Sequence, residues 1–107
     1  MKNRKLILNS IIKDEVSRII QEKIEIKEFG LITVTRAVTA KNLDSCRVYV
    51  RSLIKQENLL NVLNKRIYHI QKELNPRLRL HKVPKIIFQL DENLEYVDNI
   101  EKILERI

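Results

Sequence analysis

Few side chains in this sequence are typed and spaced for covalent or metal chemistry. Cys46 alternates with Val48 and Val50 in a strand-like run, which places its thiol inward among apolar neighbours rather than where a nucleophile would be activated. His69 falls within a helical period and His81 in a basic connector. Neither has HxxxH or HExxH spacing or cysteine partners, so they assemble no zinc-ligand set. The acidic residues mostly stand beside Lys or Arg on helical stretches, as in ordinary surface ion pairs. Glu92 and Glu95 flank the start of a last helix and complement its positive end. This supply points away from an enzyme and implies neither a metal nor a cofactor.

Positive charge is what the chain has in quantity. Lys and Arg number 21 against 14 acids, a net charge of +7 with a pI near 9.7, and that balance favours a polyanionic partner. The densest stretch runs from Lys65 to Lys85: Lys65, Arg66, Lys72, Arg77, Arg79, Lys82 and Lys85 are the first candidates for phosphate contacts. Arg47, Arg51 and Lys41 form a second rank on or beside a strand face. Charge clusters also occur as plain solvated faces, so charge alone leaves that reading open. Tyr49 shares its strand face with Arg47 and Arg51, where it would stack on a base or simply cover the sheet. Neighbouring central strands lack the aromatics that a stacking platform needs, so recognition through backbone and shape fits better.

The elements that must position these residues are legible from periodicity. Over residues 6–24, Leu8, Ile12, Val16, Ile19, Ile20 and Ile24 recur at helical intervals, and the opposite side carries both charge signs. Gly30, the only glycine, marks a turn. Residues 31–39 are rich in β-branched types and predict a strand with Ile32, Val34 and Val38 on one side. Residues 45–51 alternate again, with Cys46, Val48 and Val50 inward and Arg47, Tyr49 and Arg51 outward. The short connection predicts an antiparallel pair. Residues 56–74 restore the helical period through Leu59, Leu60, Leu63, Ile67, Ile70 and Leu74, and Pro76 is expected to end or bend that helix. Ile86, Phe88 and Leu90 mark a third strand over 85–90. Leu94, Val97, Ile100, Ile103, Leu104 and Ile107 stripe a final helix, with Asp91 or Asn93 as candidate cap.

At 107 residues the chain predicts a single domain, 1–107, of α+β class with helices on one face of a three-stranded sheet. One glycine excludes glycine-rich nucleotide loops, and one cysteine excludes internal disulfides. The apolar run at Leu6-Ile7-Leu8 is broken too early for a signal core or a membrane span, so a soluble intracellular protein is expected.

The element order is joined by the block Ile32-Thr33-Val34-Thr35 leading to Lys41-Asn42-Leu43 and by the strand Arg47-Val48-Tyr49-Val50. With the run from Leu78 to Pro84 that reaches Phe88 and Asp91, it resembles the ribosome-binding factor A family over nearly the whole chain. The resemblance implies a K-homology-like type II fold, αββααβ with a C-terminal helix. It also implies binding to the small ribosomal subunit and its rRNA during maturation and processing, notably in the cold, in the cytoplasm and as a monomer. Where the family interrupts its central helix with alanine, any residue, then glycine, this chain has Arg66-Ile67-Tyr68. The expectation is that Pro76 moves the bend or that the helix runs straighter. Two other readings stand beside this one: a general single-stranded nucleic-acid binder of K-homology type, and a small protein-interaction subunit docking through its last helix.

Overall fold

In the computed structural model, which describes residues 3–24 and 26–92, the first amphipathic stretch forms α1 (Asn3–Lys23). Its predicted stripe of Ile12, Val16, Ile19 and Ile20 is buried against the sheet, and Ile24 extends it. A one-turn helix, α2 (Ile26–Phe29), leads into the turn at Gly30, whose φ of 66° is the left-handed conformation that glycine adopts without strain. β1 (Ile32–Thr39) and β2 (Ser45–Ser52) pair antiparallel; after α3 (Gln56–Lys65) and α4 (Ile67–Leu78), β3 (Lys85–Leu90) returns parallel to β2. The sheet order is β1-β2-β3, with β2 central.

Cys46, Val48 and Val50 face inward as expected, and so do Ile86 and Phe88 of β3. They meet Leu59 and Leu63 of α3 and Ile70 and Leu74 of α4 in one apolar cluster with the α1 stripe. Fully burying an aliphatic side chain of this size contributes about 1.5–3 kcal/mol, so this cluster dominates stability.

Two readings of the periodicity are corrected, whereas the αββααβ order implied by the resemblance is found, apart from the one-turn α2. The helix expected over 56–74 is two helices, divided at Arg66, which leaves helical geometry with φ −103° and ψ 3°. A straight helix over 56–78 would be about 35 Å long. The strands it must cover span only about 20–26 Å. The bend brings both apolar stripes down onto the same sheet. It does so without small residues: the Arg66 N–H reaches back to the Leu63 carbonyl at 3.1 Å, and the Arg66 carbonyl accepts from Ile70 at 3.0 Å to start α4. Pro76 neither ends nor displaces this bend; it lies inside the last turn of α4, which continues to Leu78.

Val38 is the second correction. The β1–β2 register shifts between Val34, opposite Val50, and Arg36, opposite Tyr49. This bulge reverses the alternation, so Ala37 and Thr39 turn inward and Val38 is 41% exposed.

Side-chain amides close the two sheet edges onto the helices. Asn9 of α1 accepts from the Thr39 N–H at 2.9 Å, and Gln71 of α4 accepts from the Ile86 N–H at 2.9 Å while donating to the Pro84 carbonyl at 3.2 Å. The expected final helix lies outside the described residues. Among the described residues, no helix is long and apolar enough to cross a membrane.

A Cβ at Gly30 would stand 3.1 Å from the Leu53 Cβ in a left-handed backbone, while the Ile54 N–H holds the Phe29 carbonyl at 3.1 Å. Gly30→Ala is therefore expected to lower unfolding free energy by about 1–2 kcal/mol in a urea titration. An unchanged midpoint would show that the turn relaxes freely.

Candidate nucleic-acid interface

Because every long helix among the described residues packs on one side of the sheet, the other side is built, among those residues, from strand side chains. Arg47, Tyr49 and Arg51 project from central β2, and Lys85, Ile87 and Gln89 project from β3 in register with Ser45, Arg47 and Tyr49. The bulge adds Arg36, whose position opposite Tyr49 puts its guanidinium carbon 3.9 Å from the ring centroid. Val38 and Ile87 flank Arg47 on either side, so this face alternates cations with partly exposed apolar groups. Arg51 is engaged within the protein: its guanidinium donates to the Asp91 carbonyl. Tyr49, covered by Arg36 on one face of its ring, is half-buried.

The remaining candidates lie around the helix pair and the connector. Lys65 and Arg66 are exposed at the bend, where the Arg66 guanidinium donates to the Lys23 carbonyl at 3.2 Å. Lys72 is exposed on α4. Arg79, exposed and left-handed with φ 51°, ends α4. Lys82 reaches Asp44 at 2.8 Å, in the same turn that carries exposed Lys41, and both partners of that pair are in solvent. Such a pair contributes little to stability and opens readily to a phosphate.

Arg77 has a different setting. Its guanidinium lies 3.2 Å from Glu15, 3.7 Å from Glu22 and 3.9 Å from Glu73, and Glu73 also holds Lys23 at 3.0 Å. This network ties α4 to α1, and its three carboxylates occupy the charge that sequence reasoning assigned to phosphate. Conversely, sequence reasoning passed over Arg36, because strict alternation gives no sign of the bulge that turns it toward Tyr49.

The reactive groups are placed for packing. Burial pushes the Cys46 thiol above its ordinary pKa, an effect only partly offset by contacts with Thr39 and the Val38 backbone. His69 is exposed and stands edge-on to Tyr68 with ring centroids 5.5 Å apart. Among the described residues, no three His, Cys, Asp or Glu side chains are grouped to hold a metal ion.

Residues 4–104 match the family model described as ribosome-binding factor A. The chain is 35% identical over 107 residues to ribosome-binding factor A of Natranaerobius thermophilus, covering 97% of this chain and 82% of that protein. The crystal structure of ribosome-binding factor A from Thermus thermophilus superposes with a TM-score of 0.73 at 24% identity, over 80% of this chain and 93% of that one. A Thermus thermophilus homology model fitted into a cryo-electron-microscopy map of a 30S complex gives 0.69 at 22% identity, over 78% and 90%. The fold is therefore K-homology-like, with three long helices and a three-stranded mixed sheet among the described residues.

Two outcomes follow from this placement. Arg77→Met should cost about 1 kcal/mol in denaturant unfolding, because the link from α4 to Glu15 and Glu22 of α1 is lost while Glu15 keeps Arg18 and Glu73 keeps Lys23. Arg47→Met, with no helix to anchor, should leave the midpoint unchanged. Cys46 should react with a thiol reagent only as fast as the chain opens. Since its folded pKa is raised, its contribution to stability is complete below the ordinary thiol range and falls as pH rises through it. Immediate stoichiometric labelling of the native protein would contradict the packing described.

Proposed function

This chain belongs to the ribosome-binding factor A family, and we propose that it works without catalysis, binding the small ribosomal subunit and assisting maturation and processing of its rRNA. The observation that carries this reading is the match over residues 4–104, supported by the fitted model of a Thermus thermophilus relative in a 30S complex. The protein would act as a monomer in the cytoplasm, with its loss felt most in the cold.

The chemistry is phosphate neutralisation. Arg47 and Lys85, with Arg36 beside Tyr49, offer a cationic sheet face. Strands about 4.8 Å apart space such groups closely enough to follow one folded RNA backbone. Lys65, Arg66, Lys72, Arg79, Lys82 and Lys41 extend the field around the bend and the connector, while Arg77 and Arg51 position neighbouring elements. Each phosphate neutralised on single-stranded RNA releases counterions, so binding must weaken as salt rises, with a log–log slope of about −0.7 per contact. The chain lacks the GxxG loop by which ordinary K-homology domains clamp a strand, which favours a structured rRNA surface over a free oligonucleotide.

Cosedimentation with purified small subunits, large subunits and an unrelated RNA across a salt series tests the proposal. Retention by small subunits should persist after the other two signals are lost. Arg47→Glu combined with Arg79→Glu should weaken it at least tenfold while circular dichroism stays native. Equal retention by all three, lost together, would leave only a general nucleic-acid binder.

A further inference from the structure

An apolar groove of about 450 Å3 lies where α1 begins, β1 turns into β2 and α4 gives way to the connector, at the other end of α1 from the bend. Leu8 and Leu78, which also pack on the core, form its floor. Ile7, Ile11, Leu43 and Leu80 stand along its sides, 57%, 43%, 46% and 42% exposed. Contiguous exposed apolar surface of this kind marks an interaction site. The fold itself does not call for these side chains. Ile7 and Ile11 form a second row on α1, beside the core stripe that runs through Leu8 and Ile12. Leu43 presents its side chain from a left-handed backbone, φ 63°, which glycine or asparagine adopts at less cost.

Charge decides what kind of partner fits. Arg4 and Lys5 line the groove from the first turn of α1, both exposed, and among the described residues neither is paired with a carboxylate. Cations at that end oppose the helix's own dipole, so they do nothing to hold α1. Arg79 stands between Leu78 and Leu80, and Lys41 lies in the turn that carries Leu43. The groove is thus an apolar channel with a cationic rim. We propose that it receives an acidic amphipathic helix of a partner protein, whose aliphatic side chains enter between Ile7, Ile11 and Leu80 while its carboxylates meet Arg4 and Lys5.

Other occupants match less of the site. Nucleic acid satisfies the rim but leaves the apolar sides unfilled. A second copy related by two-fold symmetry sets Arg4 and Lys5 against their own counterparts. A bilayer surface does not fill a concave groove. The proposal does not rest on RNA binding and stands or falls apart from it.

The test uses a designed amphipathic peptide, leucine at intervals of three and four with glutamate on both flanks, and a counterpart with lysine in place of each glutamate. Titrated into the isotope-labelled full-length chain, the acidic peptide should shift the amide signals of Ile7, Ile11, Leu43 and Leu80 and leave Leu59 and Ile70 unmoved. The lysine peptide should shift none of them. Ile7→Ser combined with Leu80→Ser, both exposed positions, should weaken binding of the acidic peptide at least tenfold while circular dichroism stays native. Arg4→Glu combined with Lys5→Glu should do the same and admit the lysine peptide. No response to the acidic peptide, an equal response to both, or shifts centred elsewhere overturns the proposal. So do four controls without peptide: groove shifts that depend on protein concentration, which assign it to a second copy; groove broadening by phosphatidylglycerol vesicles, which assigns it to a lipid surface; groove shifts with a uridine oligonucleotide, which return it to RNA; and nuclear Overhauser contacts to Ile7 and Leu80 from remote residues of the same chain, which show it already filled.

Discussion

The parallel pairing of β2 with β3 is the constraint from which the rest of the structure follows. Two adjacent parallel strands cannot be joined by a tight turn, so the chain must climb over the sheet and return, and the crossover must stay on one face. In this protein the crossover is bent at Arg66, which keeps a helix pair that would otherwise overshoot the strands seated on β2 and β3. With α1 covering β1 on the same side, the apolar surface of all three helices is satisfied by one face of the sheet. Among the described residues the opposite face carries strand side chains, and there the sequence places arginine, lysine and tyrosine.

Polar contacts decide register more than overall stability. Asn9 and Gln71 each satisfy an edge-strand N–H that would otherwise be left over, and in doing so fix α1 against β1 and α4 against β3. Asp91 does the same at the exit of β3, bridging to β1 and β2. The positive charges therefore divide by setting. Arg77 and Arg51 hold elements together, whereas Arg36, Arg47, Lys72, Arg79 and Lys85 stand exposed on the surface those elements define.

Much of this is legible in the sequence. The inward set Cys46, Val48 and Val50, the α1 stripe and the third strand over 85–90 follow from periods of two and 3.6 because each element buries a single face. Periodicity alone misses two backbone irregularities, of which only the family resemblance, with its αββααβ order, marks the second. A one-residue bulge carries no compositional mark in a run of β-branched residues, yet it exchanged Val38 for Ala37 in the core and brought Arg36 onto Tyr49. The bend at Arg66 has no glycine to announce it, since its cause is the length of the sheet beneath. The ion pairs of Arg77 are hidden for a third reason: Glu15 and Glu22 are remote in sequence, so these partners emerge only when α1 packs on α4. The site is thus legible as a composition, while its division into structural and surface cations requires the fold.

Under the function proposed, the cationic face of β2 and β3 meets rRNA. A photo-crosslinking residue placed at Arg47, with a control at exposed Glu22 on α1, would test it on purified small subunits at physiological salt. Crosslinks to rRNA are expected from position 47 and few from position 22. Crosslinks from position 22 with none from position 47, in a protein still retained by the subunit, would contradict it and assign the contact to the helical side.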